Sequence, residues 1–194
     1  MLHGVLVDLV PWTQAVEDRI VGWMNGALAE WWLEDRLLTR SARRRWNEEY
    51  FARRQNNDAF FGIQAKDGEL IGIFGLAEIN ATHRYAEVGA GIGEPDYWSG
   101  GFGSDAMLLI VEYAFEWLDL RRLWLITSGR NKRAQRQVEK CGFTLEVQQR
   151  QDEFYAGSYH SSVMYGLLRE EWPGRAEMVE RLGLREKARA RGYL

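Results

Sequence analysis

A glycine-rich segment is the part of the sequence whose residue types most directly suggest chemistry. It runs from Gly93 to Ala106, reads GEPDYWSGGFGSDA, and joins a predicted strand to a predicted helix. Glycine lets the backbone turn tightly, and the first N–H groups of the next helix have no partner within the helix. These groups stand at the positive end of the helix dipole, so a phosphate or pyrophosphate can bind there without a lysine. The alternative is a tight turn that needs glycine for steric reasons only.

Two other phosphate-binding motifs fit this segment less well. A Walker A loop requires Gly-Lys-Ser/Thr, and the dipeptide Gly-Lys does not occur in the chain. Gly101 to Ala106 does fit the dinucleotide fingerprint G-x-G-x-x-A. That fingerprint also needs an acidic residue at the end of the next strand, to hold the ribose. The next predicted strand ends Ile126-Thr127-Ser128-Gly129, without an acid.

The composition excludes several classes of protein. The 194 residues carry 25 basic and 28 acidic side chains, a net charge of −3, which argues against a nucleic-acid-binding surface. The longest apolar run, Ala106 to Val111, is far shorter than the ~20 residues of a membrane span. The single cysteine, Cys141, excludes an internal disulfide and a multi-cysteine zinc site. No signal peptide is evident, so we expect a cytoplasmic protein with no metal, nucleic-acid or membrane partner.

Periodicity and turn residues predict an alternation of strands and helices around this segment. Asp67-Gly68 is a strong hairpin signal, and Gly142 is typical of a residue just after a helix. The predicted strands are Val5 to Val10, Ala59 to Lys66, Leu70 to Ile79, Ala86 to Gly93, Arg122 to Thr127, Thr144 to Glu153 and Ser161 to Leu168. The predicted helices are Thr13 to Glu30, Arg40 to Gln55, Ala106 to Trp117, Asn131 to Lys140 and a tail from Glu170. This order predicts an α/β fold: a mixed, mostly antiparallel sheet of about seven strands with helices on both faces.

Three segments, in order, resemble one known family. Tyr97 to Ala106 resembles the acetyl-CoA loop of GNAT acetyltransferases of the RimJ/RimL-like branch, with the form Gln/Arg-x-x-Gly-x-Gly/Ala and an aromatic residue at its first position. Asn131 to Phe143 is similar to the family pattern Asn-x-x-Ser-x-x-x-x-Glu-Lys-x-Gly-Phe, and Glu153 to Trp172 is similar to the closing stretch of that branch. The resemblance implies a GNAT domain over residues 1–172 and a helical tail over residues 173–194.

The resemblance implies that acetyl-CoA is the cosubstrate. Its pantetheine arm would lie along strand 86–93, which in this family splays from its neighbour, here 122–127. The pyrophosphate would bind the amides of the glycine-rich loop, and no metal is implied. The implied cofactor-binding residues are Ile92, Gly93, Trp98, Ser99, Gly100, Gly101, Phe102, Gly103, Ser104 and Asn131.

Acetyl transfer from a thioester to an amine needs a base, an oxyanion stabiliser and a proton for the leaving thiolate. The resemblance implies Glu153 as the catalytic carboxylate, and Glu87 on the cofactor strand is the second candidate. The alternative for each is a carboxylate paired with arginine. A backbone N–H of strand 86–93 would hold the oxyanion. Val138 and Ala134 stand where the family has its tyrosine and serine proton donors, which leaves the donor unassigned.

The acceptor is expected to be a primary amine, but its identity stays open. The family builds its acceptor groove from early helices, which implies Trp31 and Trp32, and His160 is a candidate in the final hairpin. A protein N-terminal α-amino group, a polyamine, an amino acid or an aminoglycoside would each fit. A non-catalytic acyl-CoA-binding module and a nucleotide oxidoreductase are the alternatives from other classes. The resemblance also favours a homodimer in which the tail packs on a second subunit.

Overall fold

The computed structural model describes residues 1–31 and 58–194, together with Thr39, Ser41, Ala42, Arg45 and Glu49. Within these residues, the strands are β1 (Leu2–His3), β2 (Val7–Pro11), β3 (Ala59–Ala65), β4 (Leu70–Asn80), β5 (Tyr85–Ile92), β6 (Arg122–Ser128), β7 (Thr144–Tyr155) and β8 (Ser158–Leu168). They form one sheet in the order β1-β2-β3-β4-β5-β6-β8-β7. Every neighbouring pair is antiparallel except β5 and β6, which are parallel. The mixed, mostly antiparallel sheet is confirmed, with eight strands where about seven are predicted.

The hairpin predicted at Asp67-Gly68 forms between β3 and β4, and the final hairpin forms between β7 and β8. Gly68 in the β3–β4 turn has a φ of 93°, a left-handed conformation that favours glycine. Ala156 and Gly157 join β7 to β8 with φ values of 50° and 82°, as the two central residues of a type I′ turn require.

The helices are α1 (Gln14–Met24), α2 (Phe102–Glu112), α3 (Lys132–Lys140), α4 (Arg175–Arg181) and α5 (Leu184–Ala190). The first predicted helix is too long, because residues after Met24 form turns and not helix. Most of the second, Arg40 to Gln55, lies outside the described residues. α1 packs on Ile73 of β4 through a small core of its own, while α2 belongs to the main core with β2 and β4.

In the helix predicted over Ala106 to Trp117, apolar residues repeat at i, i+3, i+4, i+7, i+8 and i+11, which predicts one stripe that ends with Trp117, but the buried stripe ends earlier. Ala106–Val111 is buried throughout, but Trp117 is 74% exposed. Residues Tyr113–Trp117 form a π-helical turn. Such a turn places each residue at a different angle from an α-helix, so the spacing that aligns Trp117 with the stripe no longer holds. The prediction for Trp117 is wrong for this reason.

Asp105 connects the beginning of α2 to the first strands. Its carboxylate is fully buried, and Oδ2 accepts hydrogen bonds from the backbone N–H groups of Leu6 (2.7 Å) and Val7 (3.1 Å). Burial raises the pKa of Asp105, although these two N–H groups oppose the rise. The same carboxylate leaves no space for a side chain at Gly4, where a Cβ would lie 2.3 Å from Oδ2. Asp105 therefore fixes where α2 begins relative to the sheet.

The C-terminal helices are part of the main core. Met178 and Val179 of α4 and Leu184 and Ala188 of α5 are buried in it. These four side chains are therefore covered by their own chain and not by a second subunit. Near the end of α5, the Tyr193 hydroxyl donates to Asp67 Oδ2 at 2.8 Å, and the Tyr97 hydroxyl donates to the same atom at 2.9 Å.

We expect Asp105→Ala to lower the free energy of unfolding by about 2–3 kcal/mol, because two buried N–H groups lose their acceptor. Asp105→Asn retains a side-chain oxygen that can accept both bonds, so its loss should be clearly smaller. Urea denaturation of both variants measures the difference, with Asp96→Ala on the exposed surface as the control. Equal losses for the Ala and Asn variants would contradict this role.

The tyrosine–Asp67 cluster predicts a loss of stability at alkaline pH. Burial and the hydrogen bond to Asp67 raise the pKa of Tyr97 from its usual 10.0 to about 12. Between these values the unfolded chain loses the Tyr97 proton before the native chain does, so stability falls as pH rises. Denaturant unfolding at pH values on either side of 10 should show a smaller fall for Asp67→Asn than for the wild type. An identical fall in both would exclude the cluster as its source.

Candidate active site

A cleft of about 490 Å³ opens where β5 and β6 separate. The two strands pair only over Tyr85–Glu87 and Arg122–Trp124, at the beginning of each strand. Beyond this point both strands continue, to Ile92 and Ser128, without pairing to each other. The separation that the family resemblance implies is therefore present.

The pairing on the far side of β5 determines which of its backbone groups face the cleft. Gly93 N–H bonds Ile71 O at 2.9 Å, in register with the β4–β5 pairs. Hydrogen-bonded and non-hydrogen-bonded pairs alternate along an antiparallel ladder, so Val88, Ala90 and Ile92 direct their N–H and C=O groups away from β4. These groups therefore point into the gap. Trp98 Nε1 donates to the Ile92 carbonyl at 2.8 Å, which satisfies one of them.

The beginning of α2 adds further donors to the same cleft. Gly101 is the N-cap, with a φ of 95° that favours glycine, and no side chain caps the helix. Asp105 N–H makes the first intrahelical bond, to Gly101 O at 2.9 Å. The N–H groups of Phe102, Gly103 and Ser104 precede that bond and have no acceptor within the helix. Gly103 and Ser104 line the cleft, so it combines strand and helix donors.

Packing explains the residue types of three predicted cofactor residues, Gly93, Gly100 and Phe102. A Cβ on Gly93 would lie 2.0 Å from Trp23 Cγ, and one on Gly100 would lie 2.7 Å from Phe102 Cε2. The ring of Phe102 is itself fully buried in the main core. None of these three residues is among those that line the cleft, so only their backbone could serve a ligand. Ile92, Trp98, Ser99, Gly101, Gly103, Ser104 and Asn131 do line it.

Asn131 has a local structural role as well as a place in the cleft. It is the N-cap of α3, and its side-chain oxygen accepts from Ala134 N–H at 3.1 Å. Capping by asparagine satisfies a helix donor that would otherwise lack a partner. The family motif that begins at Asn131 is thus explained in part by helix capping.

Glu153 is bound to neighbours and lies outside the cleft lining. One carboxylate oxygen accepts from Ser128 Oγ at 2.6 Å, and the other accepts from Arg130 Nη2 at 2.8 Å. Arg130 also pairs with Glu30 at 3.2 Å, and its guanidinium lies 5.5 Å from the centre of the Trp31 ring. Burial opposes the positive charge, but the two carboxylates raise the pKa of Arg130. This is the arginine-paired arrangement that the sequence leaves open as the alternative to a catalytic base.

The fold places only some of the remaining predicted site residues in the cleft. Glu87 and Trp31 line the cleft. His160 lies on β8 opposite Glu153 and is not among the residues that line the cleft. Trp32 lies outside the described residues. Of the two proposed carboxylates, Glu87 alone lines the cleft.

Basic residues of the cleft are the part of the site that the sequence analysis does not identify. Arg133, Arg136 and Lys140 of α3 and Lys187 of α5 line it. The Arg133 guanidinium lies 3.6 Å from the centre of the Trp98 ring, and burial lowers the pKa of Arg133. The i, i+3, i+7 spacing on α3 places its three cations on one face and could have revealed them. No local pattern connects Lys187 to the loop, since only the tertiary fold brings them together.

Within the described part of the chain, no group of three or more His, Cys, Asp or Glu side chains could hold a metal ion. Among the helices of residues 1–31 and 58–194, none has both the length and the apolar character needed to cross a membrane.

Comparison with known proteins identifies the family. Residues 7–144 match the acetyltransferase (GNAT) domain. The chain belongs to the GNAT family. It is 33% identical over 116 residues to YdaF of Bacillus subtilis (strain 168), named as a candidate ribosomal N-acetyltransferase. That match covers 58% of this chain and 63% of YdaF.

A second relative and a solved structure extend the comparison. The chain is 32% identical over 106 residues to spermidine N(1)-acetyltransferase of Escherichia coli (strain K12), covering 55% of this chain and 56% of that protein. The match thus spans less than two thirds of the length of either curated relative. The crystal structure of spermidine N-acetyltransferase from Vibrio cholerae in complex with CoA and spermine superposes with a TM-score of 0.76 at 23% identity. It covers 86% of this chain and 97% of that one. The GNAT fold is therefore confirmed.

The Glu153–Arg130–Glu30 cluster predicts a cost in stability when its centre is removed. The Arg130 side chain is 17% exposed and that of Glu153 is 10% exposed. Arg130→Met leaves both carboxylates unpaired and should lower the free energy of unfolding by about 2–3 kcal/mol. Adding Glu153→Gln should recover part of the loss. Arg121→Met, which removes an exposed pair with Glu170, is the matched control and should cost at most about 1 kcal/mol in the same urea titration. A cost for Arg130→Met no larger than that of this control would contradict the prediction.

Proposed function

We propose that this protein is an acetyl-CoA-dependent N-acetyltransferase that transfers the acetyl group to a primary amine. The observation that carries the proposal is the cleft itself. One cavity contains backbone groups released by the separation of β5 and β6, together with the first amides of α2. Membership in the GNAT family, whose cosubstrate is acetyl-CoA, supports the same function.

The described residues fit coenzyme A in chemistry and in order along the cleft. The pantetheine arm is an extended chain with amide groups, which match the N–H and C=O groups that Val88 and Ala90 direct into the gap. The diphosphate is an anion, which matches the free amides of Phe102, Gly103 and Ser104. Asn131 lies beside the arm in this arrangement, at the beginning of α3.

Glu87 is the residue that we propose as general base. It lies at the last paired position of β5, opposite Trp124, where the strands begin to separate. An amine must lose a proton to attack the thioester, and a carboxylate removes it directly or through a water molecule. A β5 N–H that faces the gap stabilises the oxyanion. The conjugate thiol has a pKa of about 8.5, so the thiolate leaves unassisted or takes a proton from water.

Glu153 has a positioning role in this proposal. Its carboxylate oxygens are bound to Ser128 and Arg130, and Arg130 in turn contacts Trp31, which lines the cleft. Glu153 therefore holds Arg130 and, through it, the Trp31 wall.

We propose a cationic primary amine as the acceptor, with polyamines as the first class to test. The Arg130 guanidinium, which lies beside the cleft residue Trp31, is paired with two carboxylates, Glu30 and Glu153, so this cluster carries one more negative than positive charge. Such an excess of negative charge favours cationic ligands. The relatives named for spermidine acetylation support this class, and YdaF supports a ribosomal protein N-terminus as the second. The RimJ/RimL-like branch, a homodimer and a cytoplasmic location stay predictions.

A non-catalytic acyl-CoA-binding module is the alternative function. Ala134 and Val138 both line the cleft, and neither side chain can donate a proton as the family's serine and tyrosine do. Two further hydroxyl side chains have other surroundings. The Ser128 hydroxyl donates its hydrogen bond to Glu153, and the Tyr159 ring is exposed to solvent and contacts Phe154. A module would bind acetyl-CoA without turning it over.

Turnover with a panel of amines separates the two functions. Spermidine, spermine, peptides with free N-termini and an aminoglycoside are each incubated with acetyl-CoA, and free CoA and the acetylated product are measured. For the preferred acceptor, Glu87→Gln should lower kcat about 100-fold, because it removes the base, while acetyl-CoA affinity stays the same. Glu153→Gln tests the other candidate carboxylate; glutamine keeps a side-chain oxygen that can accept from Arg130, so this variant should retain most of kcat.

Three outcomes of this experiment decide the proposal. Turnover that depends on Glu87 supports it. Binding of acetyl-CoA without turnover of any amine supports the binding module. No binding of acetyl-CoA by the folded wild type overturns both functions.

A further inference from the structure

The C-terminal helix α5 contacts the beginning of α2, although it lies outside the matched family domain of residues 7–144. A Cβ built on Gly101 would lie 3.1 Å from Lys187 Cδ and 3.2 Å from Leu184 Cδ2. Leu184 is fully buried, so the backbone of α5 is held in place by the core. Lys187 therefore stands directly beside the unpaired amides of α2.

Arg191, one turn after Lys187, reaches the same loop. Its guanidinium carbon lies 4.7 Å from the centre of the Phe102 ring, and Nη2 lies 3.0 Å from the position of a Cβ on Gly100. Lys187 Nζ donates one hydrogen bond, to Leu182 O at 2.9 Å, which leaves two of its three protons for another acceptor. Both cations are thus anchored near the loop with donors to spare.

Three cations on α3 face the same region and complete a basic cluster. The cluster consists of Arg133, Arg136, Lys140, Lys187 and Arg191. Within the described residues, none of the five forms an ion pair with a carboxylate, although most other arginines do. Five uncompensated positive charges repel one another, and this cost is notable in a chain whose net charge is −3. A polyanion at the α2 N-terminus would remove the repulsion.

We propose that Lys187 and Arg191 bind the phosphate groups of coenzyme A, so that α5 is a working part of the cosubstrate site. This inference rests on the proposed function and extends it to a segment beyond the family domain. Charge-assisted hydrogen bonds from an ammonium and a guanidinium to phosphate are stronger than those from neutral amides. α5 therefore adds affinity for phosphorylated carriers that the α2 amides alone do not supply.

Calorimetric titration of the full chain with CoA and with dephospho-CoA tests the inference. The double variant Lys187→Ala/Arg191→Ala should lose at least about tenfold in CoA affinity, which corresponds to about 1.4 kcal/mol. Arg189→Ala removes an exposed cation of the same helix that neither lines the cleft, as Lys187 does, nor lies over the Phe102 ring, as Arg191 does, and this variant should bind CoA like the wild type. Both substituted side chains are exposed, and a thermal melt verifies that each variant is folded.

The pattern of losses distinguishes failure of the inference from failure of the proposed function. A loss for CoA alone assigns the cations to the 3′-phosphate, an equal loss for both ligands assigns them to the diphosphate, and either supports the inference. Wild-type CoA binding with no loss in the double variant overturns the inference and leaves the acetyltransferase function standing. Absence of CoA binding by the folded wild type overturns both.

Discussion

The early end of the hydrogen-bond ladder between β5 and β6 is the constraint on which the site depends. After Glu87 and Trp124 the two parallel strands no longer pair, yet each keeps its other neighbour, β4 or β8. The sheet stays continuous while one seam opens within it. Main-chain groups that a sheet normally satisfies become available to a ligand, which fits an extended amide chain better than a compact molecule.

The elements that follow the two strands determine the charges around this seam. α2 begins after β5 and contributes backbone amides without an acceptor in the helix. The hydrogen bonds from Leu6 and Val7 to Asp105 fix the position of these amides relative to the sheet. α3 begins after β6 and brings a face of cations, joined by Lys187 from the C-terminal helix. The carboxylates Glu30 and Glu153 gather instead around Arg130. A chain whose net charge is −3 thereby keeps the cations along its cleft apart from the Glu153–Arg130–Glu30 cluster, which lies outside the cleft lining.

Local sequence signals predicted the elements and the loop, and failed where distant segments meet. Asp67-Gly68 and the glycine-rich loop were predictable because turn chemistry is set by adjacent residues. Trp117 was not, since a π-helical turn leaves no clear mark in apolar spacing. The packing of Gly93 on Trp23 and the approach of Lys187 to Gly101 arise from tertiary contact alone. The same holds for Glu153, whose partner Arg130 lies on a different segment.

The burial of Cys141 has a consequence for how the chemistry can be followed. It is the chain's one cysteine, its sulfur is inaccessible, and burial raises the pKa of its thiol to about 12. Disulfide dyes and alkylating reagents react with thiolates, so the native protein should not react with them. A thiol that such a reagent detects in a reaction mixture then comes from the CoA released by acetyl transfer. Modification of Cys141 itself would indicate that the protein has unfolded.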